Sequence, residues 1–240
     1  MSIESLQPLF DEGWITDVIR SVRGGKEADV YLCRGSSLVE GALVAAKVYR
    51  PRTQRGFSDD STYWEGGMRT FGRRVRLAAT KRSAFGREVR FSAWIGREHE
   101  ILARLHAAGA VVPRPYAMSQ TGLVLEWIGE REQEAPQLRH VQLDAADAEA
   151  AFDDLLHQVE LFLANDLVHG DLSDYNVLWD GRAVVIDFPQ AVDPRFNRSA
   201  HDLLRRDLGN LVKHFARYGL YRDPDRLAGE LCERWLRGRL

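Results

Sequence analysis

Val168–Trp179 reads VHGDLSDYNVLW. It sets a histidine (His169), two carboxylates (Asp171, Asp174) and an amide (Asn176) immediately ahead of an apolar run. Asp171 and Asn176 stand five residues apart. At that spacing a carboxylate can face a hydroxyl or water to be activated while the amide oxygen reaches a metal ion. His169 is expected to organise the loop through hydrogen bonds, and Asp174 to be a solvated turn acid. Eleven residues beyond Asn176, Asp187 ends the run AVVID (Ala183–Asp187). That run is a buried-strand signal, and an unpaired charge at its end costs several kcal/mol. A second magnesium carboxylate is what that position suits.

Upstream, the same chemistry needs cations at phosphates. Lys47 sits in VAAKVY with apolar neighbours on both sides. A lysine there is costly unless it meets an anion. Glu98, on the next helical segment, is the expected ion-pair partner, with Glu100 competing for the role. Gly24, Gly25 and Lys26 join two strand-like runs and could bring backbone amides and a charge to phosphates. Two glycines in a hairpin also make an ordinary turn.

The periodicities place these residues in order. Leu6, Leu9, Phe10, Trp14, Val18 and Ile19 fall near helical spacing and predict an opening amphipathic helix. Strands are expected around Ile19–Val22, over Ala28–Cys33 and over Ala42–Arg50. Residues 51–85 are glycine-rich without a clean period, a loop with one helical piece at most. Glu88–Ala108 reads as a helix stopped by Gly109, Pro113 and Pro115. Gly122–Gly129 reads as a strand entering a linker. Asp144 caps a helix striped by Phe152, Leu155, Leu156, Val159, Phe162 and Leu163. Two more helices follow, striped by Leu204, Leu208, Leu211, Val212 and Phe215 and by Leu227, Leu231 and Trp235.

The fold expected is α+β in two lobes: a β-rich N-terminal lobe of about 1–125 with one long helix, and a mainly helical C-terminal lobe of about 130–240. A cleft between the lobes is the expected site. Of the 240 residues, 45% are hydrophobic and 28% charged, which excludes a disordered or fibrous chain. No apolar run nears the roughly 20 residues of a membrane span, and no secretory signal opens the chain. Cys33 and Cys232 match no zinc or disulfide pattern. A cytoplasmic protein is expected. The net charge is −2, yet eleven Arg/Lys against four acids lie between Arg50 and Arg90. That basic segment calls for an anionic partner, RNA or a phosphate, or is a solvated insertion.

GGKEADVY, AAKVYRP, VHGDLSDYNVL and VVIDFPQAVD together resemble the RIO family of atypical serine protein kinases and ATPases, over about Val22–Tyr218. The resemblance implies a single kinase-like domain that uses ATP with Mg²⁺ or Mn²⁺. It implies Lys47 on the phosphates with Glu98 as partner, Asp171 catalytic, and Asn176 and Asp187 on the metal. It further implies adenine against the backbone of Glu126 and Ile128, a phospho-aspartate at Asp187, and a ribonucleoprotein reached through segment 51–85. Ser173 stands where most eukaryotic kinases have a lysine, and Phe188-Pro189 replaces the mobile Phe-Gly. Autophosphorylation or ATP hydrolysis therefore fits better than phosphorylation of loose peptides. Two other readings stay open: a small-molecule phosphotransferase of the aminoglycoside type, and a nucleotide-gated binder of RNA or ribosomal particles.

Overall fold

Five antiparallel strands carry the N-terminal part of the chain in this computed structural model, which describes residues 3–25, 27–50 and 84–240. They are β1 (Ile15–Gly24), β2 (Ala28–Gly35), β3 (Leu43–Tyr49), β4 (Pro115–Met118) and β5 (Gly122–Glu126), in the order β1-β2-β3-β5-β4. Strand β3 is central, and its alternation decides where Lys47 goes. Val44, Ala46 and Val48 join Leu6, Leu9, Ile15 and Val124 in one apolar cluster. With a side-chain period of two, Lys47 and Tyr49 must face the other way. Gly122 is what lets β5 lie so close, because a Cβ there would stand 2.3 Å from the Lys47 carbonyl oxygen.

The opening helix is shorter than the hydrophobic spacing implies. A 3₁₀ turn (Ile3–Leu6) leads into α1 (Gln7–Asp11), and the chain turns at Gly13, where φ is +75°. Val18 and Ile19 belong to β1 instead. The β-branched residues after Trp14 favour a strand, so the apparent helical period spanned two different elements. The long helix α2 runs over Ala84–Ala107. Most of the basic segment 51–85, with Lys26, lies outside the described residues.

The chain divides into two compact units. Of the described residues, one unit takes in the chain to Arg50, residues 84–103 and Pro113–Glu134; the other takes Arg104–Val112 and Ala135–Leu240. The first also holds a small hairpin, β6 (Gly129–Glu130) with β7 (Gln133–Glu134). The second is mainly helical: α3 (Ala145–Ala164), α4 (Ala200–Phe215) and α5 (Pro224–Leu236), with the hairpin β8 (Val177–Trp179) and β9 (Ala183–Val185). Asp144 caps α3 by accepting from the Asp147 N–H at 2.8 Å. Asp223 caps α5 from both Asp225 and Arg226. Phe152 of α3 and Phe215 of α4 meet at 5.1 Å in the core of this unit. Among the described residues no helix is long and apolar enough to cross a membrane.

Candidate active site

The β3 alternation carries Lys47 into a buried ion pair. Its Nζ donates to Glu98 Oε1 at 2.7 Å, and the side chains are 11% and 2% exposed. Glu98 is therefore the partner, while Glu100 is exposed. Sequence reasoning missed Tyr49, whose hydroxyl donates to the second Glu98 oxygen. Trp94, one helical turn before Glu98 on α2, packs edge-on against the Tyr49 ring at 4.5 Å. The signal for Tyr49 was its position two residues past Lys47, which puts both on one face of the strand.

The glycine turn is built for closeness. Gly25 N–H donates to the Ala28 carbonyl at 2.8 Å, and a Cβ on Gly25 would stand 3.0 Å from that oxygen. A Cβ on Gly24 would crowd Asp29, which pairs with Arg50 at 2.5 Å. At the end of β5 the Glu126 N–H is taken by the Arg114 carbonyl at 2.8 Å. The N–H of Arg114 returns to the Glu126 carboxylate at 3.1 Å. Ile128 is buried just beyond.

In the helical unit, a hairpin gathers the acidic residues. The Asp180-Gly181 turn folds β8 back on β9, with Val177 opposite Val185. One step beyond that ladder, Ile186 N–H donates to the Asn176 carbonyl at 2.9 Å, so Asn176 pairs with Ile186 and Asp187 follows directly. Asn176 Nδ2 donates to the Asp171 carbonyl at 2.8 Å and to its carboxylate at 3.2 Å. Its Oδ1 is thereby turned away and left as an acceptor. Asp187 holds φ at +71°, a conformation unfavourable for a residue with a Cβ. An asparagine oxygen and one or two carboxylate oxygens suit a hard divalent cation that keeps water and phosphate ligands. Among the described residues no cluster of three or more His, Cys, Asp or Glu could hold an ion by itself.

The loop is fastened from below. His169, 2% exposed, meets the Ile186 carbonyl through Nε2 at 3.1 Å and accepts from the Asp171 N–H through Nδ1 at 3.3 Å. That pattern makes it a neutral Nε2–H imidazole. Its ring lies tilted against that of Phe188 at 4.6 Å, and Phe188 is fully buried against Phe162. Gly170 has φ of +78°, and a Cβ there would stand 2.5 Å from the Gln190 carbonyl oxygen, so no other residue fits. Asp207 of α4, 1% exposed, accepts from the N–H groups of Gly170 at 2.7 Å and Leu172 at 3.1 Å. Arg206 donates to the Gly170 carbonyl and Asn210 to that of Leu172.

Electrostatics set the working states. Burial pushes the Asp207 carboxyl up to about 7, against the pull of its two N–H donors and Arg206. Asp171 opens to solvent on one side, yet crowding behind its carboxyl raises its pKa. Arg206 and the Asn176 amide oppose that rise, and the Asp187 charge adds to it. Asp174 is not the solvated turn acid expected: its carboxylate meets His214 of α4 at 3.0 Å.

A model of RIO-domain sequences matches residues 29–227. Over 224 residues, 93% of this chain and 71% of the relative, the chain is 33% identical to the RIO-type serine/threonine-protein kinase Rio1 of Haloferax volcanii. It is 30% identical over 185 residues, 77% of this chain and 91% of the relative, to its namesake in Thermoplasma acidophilum. To serine/threonine-protein kinase RIO1 of Caenorhabditis elegans it is 29% identical, covering 88% of this chain and 40% of that one.

The chain belongs to the RIO family. The RIO match takes in Lys47, Glu98, Asp171, Asn176 and Asp187, and also Tyr49, Asp207 and His214, which sequence reasoning passed over. It begins after Gly24, Gly25 and Lys26. A signal for the α4 residues existed: Asp207 and His214 are polar residues three positions after Leu204 and Leu211, on the buried stripe of the helix.

Proposed function

We propose that this chain is an atypical, Mg·ATP-dependent serine/threonine protein kinase that acts first on itself. The observation that carries the reading is the β8–β9 ladder. It ties Asn176, whose amide bonds to Asp171, to Ile186, the neighbour of Asp187; the Asp187 charge is felt at Asp171, and Asp187 is kept where glycine would be easier. A strained backbone retained at a carboxylate argues that the carboxylate is used.

In this reading Asp171 accepts the proton of a serine or threonine hydroxyl as its oxygen bonds to the γ-phosphorus and the bond to ADP breaks. Asn176 and Asp187 hold the divalent cation, which neutralises charge on the phosphate oxygens. Lys47, oriented by Glu98, binds the α- and β-phosphates. Gly24, Gly25 and Lys26 approach the phosphates, and the backbone of Glu126 and Ile128 meets adenine. Both cysteines are free thiols, which supports a cytoplasmic setting. The eleven cations between Arg50 and Arg90 support RNA or a ribosomal particle as partner.

The test is incubation of the purified protein with Mg²⁺ and γ-labelled ATP, following free phosphate and label on protein. Acid-stable label on serine or threonine, absent in Asp171→Ala, is expected. Hydroxylamine-sensitive label lost in Asp187→Ala would instead assign an acyl phosphate on Asp187 and an ATPase cycle. No label and no phosphate release, with ATP bound, would overturn the enzyme reading.

A further inference from the structure

Four residues of α4 reach the loop that carries Asp171. Arg206, Asp207 and Asn210 grip main-chain atoms of Gly170 and Leu172. His214 differs from them. It lies seven residues past Asp207, two helical turns further along the same face, and it takes hold of a side chain: Nδ1 meets Asp174 Oδ2 at 3.0 Å. Asp174 is the middle of the turn that delivers Asn176. Within that turn the Asn176 N–H donates to the Ser173 carbonyl at 2.9 Å, and the Asp174 carbonyl accepts from Arg139 N–H at 3.3 Å.

We infer that His214 is a positioning residue for phosphoryl transfer, acting through the Asp174 carboxylate to fix the turn that aims Asn176. The inference rests on the assignment of Asp171 and Asn176 made above.

The environment of His214 shows what form it takes. Its side chain is 2% exposed, and among the described residues its Nε2 has no hydrogen-bond partner. The ring lies 4.9 Å from that of Phe215 and 6.3 Å from that of Tyr218. A buried Nε2–H without an acceptor would be costly, so the neutral Nδ1–H tautomer is the one that fits, donating to Asp174. Burial, with the Arg217 charge, holds the imidazole below its ordinary pKa against the pull of Asp174. The Asp174 carboxylate therefore accepts a fixed N–H from the helix. It is an aimed hydrogen bond to a charged acceptor, stronger than one between neutral groups.

His214→Phe keeps a ring in the core and removes the donor. His214→Asn removes the ring and keeps an N–H near the Nδ1 position. Asp174→Ala removes the acceptor from the partly exposed side. The readouts are kcat, KM for ATP at saturating Mg²⁺, and the Mg²⁺ concentration for half-activation. For His214→Phe we expect a fall in kcat of about tenfold or more, a hydrogen bond's worth of positioning. The half-activating Mg²⁺ should rise several-fold, with KM for ATP nearly unchanged. Asp174→Ala should reproduce both changes, His214→Asn should recover most of the activity, and the double variant Asp174→Ala/His214→Phe should be no worse than either single one.

Wild-type kcat and Mg²⁺ dependence in a folded His214→Phe protein would overturn the inference, and so would additive losses in the double variant. If His214→Phe does not fold, Asp174→Ala decides alone on the same two readouts. Asp171→Ala separates the two levels. Turnover surviving in Asp171→Ala refutes the underlying site assignment, whereas turnover lost there but indifferent to His214 and Asp174 refutes only the positioning role.

Discussion

Replacing Asp207 with asparagine changes one atom of the loop's main anchor, and the structure fixes what should follow. In the folded protein the carboxyl titrates at about 7, against an ordinary 3.8. That gap of about three units, at about 1.4 kcal/mol each, amounts to about 4 kcal/mol. The sign follows from proton counting. Between pH 4 and 7 the folded chain holds a proton that the unfolded chain has already released. Asp207 therefore favours the folded state fully below pH 4, and that advantage is lost as pH rises through 7. Asparagine binds no proton and contributes no such slope. The stability of the wild type minus that of Asp207→Asn should fall by about 3 kcal/mol from pH 5 to pH 8, from the two units crossed before the plateau. Urea unfolding followed by the fluorescence of the six tryptophans measures it. The variant also turns an amide NH₂ toward either Gly170 or Leu172 N–H. Its kcat should drop by about tenfold to a hundredfold at pH 8, the worth of one hydrogen bond to a charged acceptor. A stability difference that stays flat or grows with pH would refute the reasoning, because it would mean that the two N–H donors outweigh burial and keep Asp207 ionised throughout.

Lys47→Ala should lower kcat/KM for ATP and also destabilise the fold by about 3–5 kcal/mol, since it leaves Glu98 buried without its cation; steady-state kinetics and urea unfolding read the two effects separately. Tyr49→Phe should cost about 1–2 kcal/mol by the same unfolding assay, the loss of one hydrogen bond to Glu98, and should raise KM for ATP without eliminating turnover. Asp187→Gly should abolish turnover while holding or raising the melting temperature, because glycine adopts a φ of +71° without strain; a clear fall in melting temperature would remove the argument that the carboxylate is kept there against backbone preference.

Lys47 was legible because a lysine inside an apolar strand has few physical excuses, and the alternation of β3 leaves it one direction in which to point. Asp171 and Asn176 were legible as a pair because a five-residue spacing in a tight loop brings an amide within reach of a carboxylate, and the two bond at 3.2 Å. The helical stripes of α3, α4 and α5 and the Asp144 cap followed from local periodicity and chemistry alone. Where the reading failed, two elements had been fused into one pattern. Leu6 and Leu9 belong to a helix and Val18 and Ile19 to a strand, and only the break at Gly13 and the β-branched residues after Trp14 separate them.

The residues missed share a different property: each acts on partners far away in the chain. Asp207 bonds to amides 35 and 37 residues earlier, and His214 to a carboxylate 40 residues earlier. Nothing local requires them, so no spacing rule exposes them. What marks them is a conflict, a charged or titratable residue on a helical face that hydrophobic burial should have claimed. Leaving Asp207 there raises its pKa by about three units, and hydrophobic packing alone would favour leucine. The residue persists because the loop around Asp171 contains Gly170 in a left-handed turn and amides that strand or helix pairing cannot satisfy. A loop bent sharply enough to bring the Asn176 amide onto the Asp171 carboxylate leaves such amides behind, and the buried acid of α4 is the group that accepts from them.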